Sequence, residues 1–261
     1  MIPNICHIYG PFYLNNYGLC IFIGILLFTF FAQRNWLRRH FISRDDFIIL
    51  ISWGTLVGII GGRILFILTN LRMMHSFWDI VSIWEGGLSL LGSVIGISLF
   101  IPLFLRSKNI EILSILDLAG IYGPLLIGFS RFGCFFAGCC YGRTTNLPWA
   151  ITYTHPDSMA PLHCALHPTQ LYSALVLISL FFVLRFICQP RLTKPGQLFS
   201  LFLIGIGTER TLMEFVRDDL EYLYGSITIP HIIGFILIIL GITFFIFSTR
   251  SKAKDYQYES I

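Results

Sequence analysis

Apolar residues in this chain arrive in long runs, and a few polar residues fall inside the runs as well as between them. Seven runs, Tyr13–Ala32, Phe47–Leu68, Gly87–Leu105, Ile110–Ser130, Leu171–Cys188, Leu198–Phe215 and Ile229–Phe247, each come close to the ~20 residues a helix needs to cross a bilayer. This pattern predicts an all-α, polytopic membrane protein with seven transmembrane helices in one domain, residues 1–261. Residues 144–166 form the longest connection outside the membrane and are expected to make a small extracytoplasmic cap. Met1 to Gly10 has no basic n-region, so a cleavable signal peptide is not expected.

Composition agrees with that pattern. The chain is 55% hydrophobic and 12% charged, with a mean hydropathy of +0.75; a soluble domain carries about 25% charged residues. The net charge of +4 matters less than its placement. Twelve of the 18 Lys and Arg collect on one side of the predicted spans, among them Arg34, Arg38, Arg39, Arg106, Arg191 and Lys252. Basic loops stay in the cytoplasm, which puts the N-terminus outside and the C-terminus inside. The seven cysteines contain no Cys-x-x-Cys spacing. Cys134, Cys139, Cys140 and Cys164 map toward the outer face, where a disulfide such as Cys139 with Cys164 could persist. Zinc held by these cysteines with His155, His163 or His167 has no specific spacing behind it, so small packing residues are the expected role and no metal or cofactor is assigned.

The polar residues inside the runs carry the chemistry. Arg131 lies within Gly128-Phe129-Ser130-Arg131-Phe132-Gly133-Cys134, a continuation of an apolar run, and Arg143 follows shortly after. An intramembrane cation faces protein or a water-filled cavity and needs a partner. Arg210 and Glu214 stand at i,i+4, one above the other on a helix face that Arg217 extends. A structural ion pair is the plain alternative there, and snorkelling to the interface is the plain alternative for Arg63. Gly58, Gly61 and Gly62 mark a close helix contact, while Gly86 and Gly87 suggest either a broken helix top or tight packing of the third span. Asp117 is a solitary carboxylate, expected to be protonated or paired with a cation of the second or sixth span. Several guanidiniums toward one side suit bidentate capture of a phosphate, which in a membrane means a phospholipid headgroup. Neither a P-loop nor a dinucleotide fingerprint occurs, and nucleic acid is not an expected partner.

The ordered set Tyr17-Gly18, Gly62-Arg63, Trp84-Glu85-Gly86-Gly87-Leu88-Ser89, Asp117, Arg131-Phe132-Gly133 through Gly142-Arg143, Leu147-Pro148-Trp149, His167-Pro168-Thr169-Gln170-Leu171-Tyr172, and Arg210 with Glu214-Phe215-Val216-Arg217 resembles the prolipoprotein diacylglyceryl transferase family over almost the whole chain. The resemblance implies a seven-span enzyme of the bacterial inner membrane, its site toward the periplasm. Such enzymes move diacylglycerol from phosphatidylglycerol to the lipobox cysteine thiol of a preprolipoprotein. It implies catalytic roles for Arg131, Arg210, Glu214 and His167, and substrate-binding roles for Tyr17, Arg63, Gly86, Gly87, Ser89, Gly142, Arg143, Gln170, Tyr172 and Arg217. It also implies phosphatidylglycerol, preprolipoprotein signal peptides and membrane lipids as partners. The chain departs from the family pattern at Cys134, Ala137 and Cys139, where two asparagines and a glutamate are usual, at Leu91 in place of a histidine, and at Ile206 in place of a tyrosine. A phospholipid-binding member without catalysis or with altered specificity, and a membrane thiol-redox protein, are the alternatives.

Overall fold

The computed structural model describes residues 4–9, 12–73, 76–82, 86–218, 222–224, 227–250 and 256. Strands β1 (Asn4–Tyr9) and β2 (Phe12–Asn15) precede helices α1 (Asn16–Arg34), α2 (Trp36–Phe41), α3 (Arg44–Thr69), α4 (Phe77–Val81), α5 (Leu90–Ser107) and α6 (Ile112–Ala137). Strands β3 (Ile151–Thr152) and β4 (Ala165–Leu166) follow, then α7 (Thr169–Phe182), α8 (Gln197–Glu214), strands β5 (Tyr222–Tyr224) and β6 (Ile227–Thr228), and α9 (Ile229–Arg250). Thr169–Cys188 is continuous, its last turns π-helical from Val183. His75, Trp84 and Glu85 lie outside the described residues.

Six of the described helices are long and apolar enough to cross a membrane: Asn16–Arg34, Arg44–Thr69, Leu90–Ser107, Ile112–Ala137, Thr169–Cys188 and Ile229–Arg250. Large apolar side chains stand exposed along them, Leu99 and Leu103 on α5 and Ile239 and Phe247 on α9 among others. Such surface is a liability in water and a requirement in lipid. The sixth predicted run, Leu198–Phe215, is helical as α8, whose 18 residues carry three charges, Glu209, Arg210 and Glu214. The fourth run ends later than expected, at Ala137, because Gly138 at φ 79° is the first residue to leave the right-handed region. A glycine just past the last turn is the usual stop, and it leaves Arg131 and Cys134 on the helix itself.

The chain divides into two compact units, one of His7–Tyr13 and Gln33–Ile115, the other of Met1–Cys6, Leu14–Ala32 and Leu116–Ile261. In the first, α3 lies against α5 through glycines. A Cβ added to Gly61 would sit 2.6 Å from Gly92 O, so the helices approach at backbone distance as small-residue interfaces allow. Ser43 caps α3 by accepting from Asp46 N, as its position before the first turn predicts. Ser89 caps α5 by accepting from Gly92 N, and Ser89 N donates to Gly62 O at 3.0 Å.

In the second unit α8 lies against α9, and Gly207 meets Gly234 in the same manner, with 2.6 Å between an added Cβ and Gly234 O. Here Asp117 finds partners other than the cation expected as one alternative. Its carboxylate accepts from Gly196 N and Phe199 N, both at 2.7 Å, and from Tyr256 Oη at 2.9 Å. Asp117 is fully buried. The cation expected for it is replaced by the exposed N–H groups and positive dipole end of α8. Gly196, at φ 93°, supplies the left-handed turn that starts the helix beneath it.

Asp117→Ala strands three donors in a dry interior, at a cost of about 1–3 kcal/mol for each lost bond. Its thermal midpoint in detergent is expected to fall by several degrees, while Asp117→Asn, which keeps one acceptor oxygen, falls less. An unchanged midpoint for Asp117→Ala would contradict the cap.

Candidate functional site

The second unit gathers most of the residues singled out in the sequence around the end of α6 and the turn that follows. Residues 138–143 are sewn to two other segments by backbone bonds. Gly142 N donates to His167 O (3.2 Å), His167 N to Arg143 O (3.0 Å), and Arg143 N to Val216 O (2.9 Å). The turn is thus fixed between the start of α7 and the end of α8. Gly142 is needed there for space: a Cβ would lie 2.6 Å from His167 Cβ. Its contribution is a close backbone approach.

Side chains of α7 complete the fastening. Thr169 Oγ1 donates to Cys140 O and Gln170 Nε2 to Cys139 O, each at 2.7 Å. Both side chains are buried, and Gln170 Oε1 is left without a partner. The loop 144–166 carries the β3–β4 pair, antiparallel with Ile151 opposite Leu166. It has its own small core of Tyr153, Ala160 and Leu166, with Tyr141, Ile151 and Cys164 against it. Tyr153 Oη reaches under the turn to donate to Phe135 O at 3.0 Å, and burial pushes its phenol pKa up. Tyr172 Oη accepts from Trp149 Nε1 at 2.7 Å and meets His167 Nδ1 at 3.4 Å.

Arg210 Nη2 stands 3.4 Å from Glu214 Oε2, the i,i+4 pair expected from the spacing. The alignment is too poor for a hydrogen bond, so Oε2 is a buried acceptor without a donor. Glu214 Oε1 accepts from Thr228 Oγ1 at 2.7 Å, and the same hydroxyl lies 3.0 Å from His231 Nδ1. Thr228 and His231 escaped the sequence reading. A histidine in the first turn of an apolar run is the signal that could have found them. Arg210 is within electrostatic reach of Arg217, Arg131 and Cys140 as well as Glu214. Arg131 Nε is buried with no partner. Tyr17 lies over Gly133, where a Cβ would come within 3.0 Å of Tyr17 Cα, and it shares the neighbourhood of Arg131 and the cysteines. Arg143 is exposed, joined to the site through its backbone.

Cys134, Cys139 and Cys140 converge, their sulfurs within 4.8 Å of one another. Cys139 therefore neighbours these two thiols and makes no disulfide with Cys164, which packs in the loop core. Hydrogen bonds from Cys134 and Cys139, with Arg217 and Arg131 close by, hold Cys140 well below the ordinary thiol range. Cys139, bonded to Cys134 and Cys140 and partly buried, is pushed up.

The remaining expected residues belong to the first unit, where Arg63 differs from expectation. Its Nε donates to Ile80 O (3.0 Å), Nη1 to Gly86 O (2.7 Å) and Gly87 O (3.0 Å), and Nη2 to Asp79 O (2.5 Å). Neither a headgroup nor the interface takes these donors. Arg63 is buried and holds the chain before α5, where Gly86 and Gly87 adopt φ 92° and 75°. Only glycine takes such angles without strain.

Fold and site together define a multi-pass membrane protein with guanidiniums from separate helices grouped beside a carboxylate and three thiols. An anion is the ligand such a group favours. The chain belongs to the prolipoprotein diacylglyceryl transferase family, whose sequence model matches residues 3–247. Among its relatives, the phosphatidylglycerol–prolipoprotein diacylglyceryl transferase of Clostridium tetani is 32% identical over 230 residues, 88% of this chain and 91% of that protein. The Thermotoga maritima enzyme of the same name is 31% identical over 249 residues, covering 93% and 84%. That of Rhodospirillum rubrum is 32% identical over 257 residues, covering 93% and 91%.

Arg63→Lys keeps the charge but loses the planar fork that reaches several carbonyls at once. The backbone around Asp79, Ile80, Gly86 and Gly87 is expected to become a faster site of limited proteolysis in detergent. Equal cleavage of the two proteins would contradict the clamp.

Proposed function

We propose that this protein transfers the diacylglyceryl group of phosphatidylglycerol to the lipobox cysteine of preprolipoproteins, releasing glycerol-1-phosphate. The observation that carries this reading is Arg131 on α6 and Arg210 on α8 within electrostatic reach of each other, in a chain that aligns nearly end to end with transferases of that name. Arg131 and Arg210 grip the phosphodiester and stabilise the charge that develops on the departing glycerol phosphate. Arg217 adds to the same positive field. Glu214, braced by Thr228, orients Arg210. The acceptor must react as thiolate, and nearby guanidiniums favour that form. His167 and Glu214 are the candidate bases in the sequence, and His167 is the one drawn toward Tyr172.

In the membrane, α8 serves as a seventh span whose charges face the protein interior, with the N-terminus outside and the C-terminus in the cytoplasm. The crowd of Lys and Arg on one side of the spans supports that orientation. It puts the arginine group toward the periplasmic leaflet of a bacterial inner membrane, with residues 144–166 as a cap. The substrate-binding roles of Arg143, Gln170 and Tyr172 are secondary here, since their contacts hold the turn and loop. Cys134, Cys139 and Leu91, which depart from the family pattern, leave a lipid-binding member of altered specificity as the second reading.

Alanine at Arg131 or at Arg210 is expected to lower transfer from radiolabelled phosphatidylglycerol to a lipobox peptide by at least 10²–10³-fold, the scale of losing a transition-state charge partner. Membrane insertion should be unchanged, and lysine at either position should recover part of the rate. Transfer retained in both alanine variants would refute the assignment.

A further inference from the structure

Cys134, Cys139 and Cys140 have no role in the steps above. Gly138, left-handed at φ 79°, folds the chain back after α6 so that the three sulfurs meet within 4.8 Å of one another. A tetrahedral cation with metal–sulfur bonds of about 2.3 Å holds its sulfurs roughly 3.8 Å apart. The three thiols therefore stand close to the spacing one such ion imposes.

The segment bearing them is braced on several sides. Thr169 holds Cys140 O and Gln170 holds Cys139 O, both at 2.7 Å. Gly138 N donates to Cys134 O at 2.9 Å, and Tyr153 holds the adjoining Phe135 O at 3.0 Å. Cys140 itself sits at φ 60°. A residue with a side chain there costs roughly 1–3 kcal/mol, a strain that collects at functional sites. In this conformation the Cys140 thiol stands beside its two neighbours. Ligands oriented in advance by a second layer of hydrogen bonds are the usual construction of a metal site.

Charge points the same way. Three thiolates around a divalent cation leave one net negative charge, and Arg131 and Arg217 both lie within electrostatic reach of Cys140. Sulfur donors select a soft or borderline ion such as zinc over magnesium or calcium. Among the described residues the group holds three ligands, and three-ligand zinc keeps a position open for an exogenous group.

We infer that Cys134, Cys139 and Cys140 bind a thiophilic divalent cation of the zinc type, and that its open position receives the cysteine thiol of the acceptor. The second half rests on the transferase reading. Arg210 lies within electrostatic reach of Cys140, so a thiol on the metal stands beside the guanidiniums that grip the phosphodiester. Metal binding releases the thiol proton to solvent and keeps the sulfur as thiolate. A sulfur–carbon bond then forms at the glyceryl carbon. The carbon–oxygen bond to phosphate breaks, and glycerol-1-phosphate leaves with the bonding pair. No oxidant or reductant is needed. The metal thereby supplies the thiolate in a chain with Leu91 where the family pattern has a histidine.

The test uses the full chain in detergent, stripped with a chelator and reloaded with Zn2+ alone. Elemental analysis is expected to find about one zinc per chain, and Co2+ loading to give the intense visible bands of tetrahedral thiolate coordination. Cys139→Ser or Cys140→Ser should lower zinc content several-fold, whereas Cys188→Ser, remote from the group, should not. Stripping should lower lipobox-peptide transfer at least tenfold, and Zn2+ should restore it. Absence of zinc from a folded chain, or a disulfide among the three thiols that persists in the active protein, would overturn the site. Zinc bound with transfer indifferent to its removal would overturn the acceptor role. Full zinc occupancy with no transfer under any condition would sink the transferase reading and, with it, the acceptor role, while leaving the metal site standing.

Discussion

Positive charge held away from water is the constraint on which the second unit is built. Arg131 and Arg217 both approach closely enough to act on Arg210, and like charges in a poorly solvated interior repel strongly. Glu214 answers part of that repulsion but keeps one buried oxygen without a hydrogen bond. Arg131 Nε is likewise a buried donor without an acceptor. Close guanidiniums with the orphan donor Arg131 Nε among them are stabilised by an anion that brings charge and oxygen lone pairs together. A phosphodiester does both, and a phospholipid can present one at membrane depth without leaving the bilayer.

The surrounding fold works to keep that group assembled. Asp117 fixes the start of α8 to α6, while the turn at residues 138–143 ties the end of α6 to the start of α7 and the end of α8. Arg131 and Arg210 are thus carried by helices joined at both ends. Between those joints, Gly207 and Gly234 let α8 settle against α9 at backbone distance. Packing of this kind suits hydrocarbon, where burying apolar surface gives no driving force and van der Waals contact with hydrogen bonding must suffice.

Much of the scaffold was legible in the residues, because its signals are local. Apolar runs of bilayer length gave six of the helices as lipid-crossing candidates, and the Arg210–Glu214 pair followed from helical spacing alone. Partners distant in the chain were not legible. Asp117 looked like a carboxylate to be protonated or paired with a cation, and nothing nearby in sequence announces that a helix start 79 residues away would donate to it. Arg63 looked like a ligand for phosphate because its charge was visible and the carbonyls that take its donors were not. The cysteines had no metal spacing, and only the left-handed residues Gly138 and Cys140 bring their sulfurs together. Thr228 and His231 were hidden by the same gap between linear order and contact.

Whether Arg131 and Arg210 grip one headgroup is answered most directly by a double-mutant cycle on phosphatidylglycerol affinity. The protein, Arg131→Ala, Arg210→Ala and the double variant would be titrated with the lipid in nanodiscs of neutral lipid. Two guanidiniums sharing one phosphate are expected to be coupled by about 1–3 kcal/mol, the double variant losing far less than the sum of the singles. Losses that add within about 0.5 kcal/mol would mean that the two arginines act on different things.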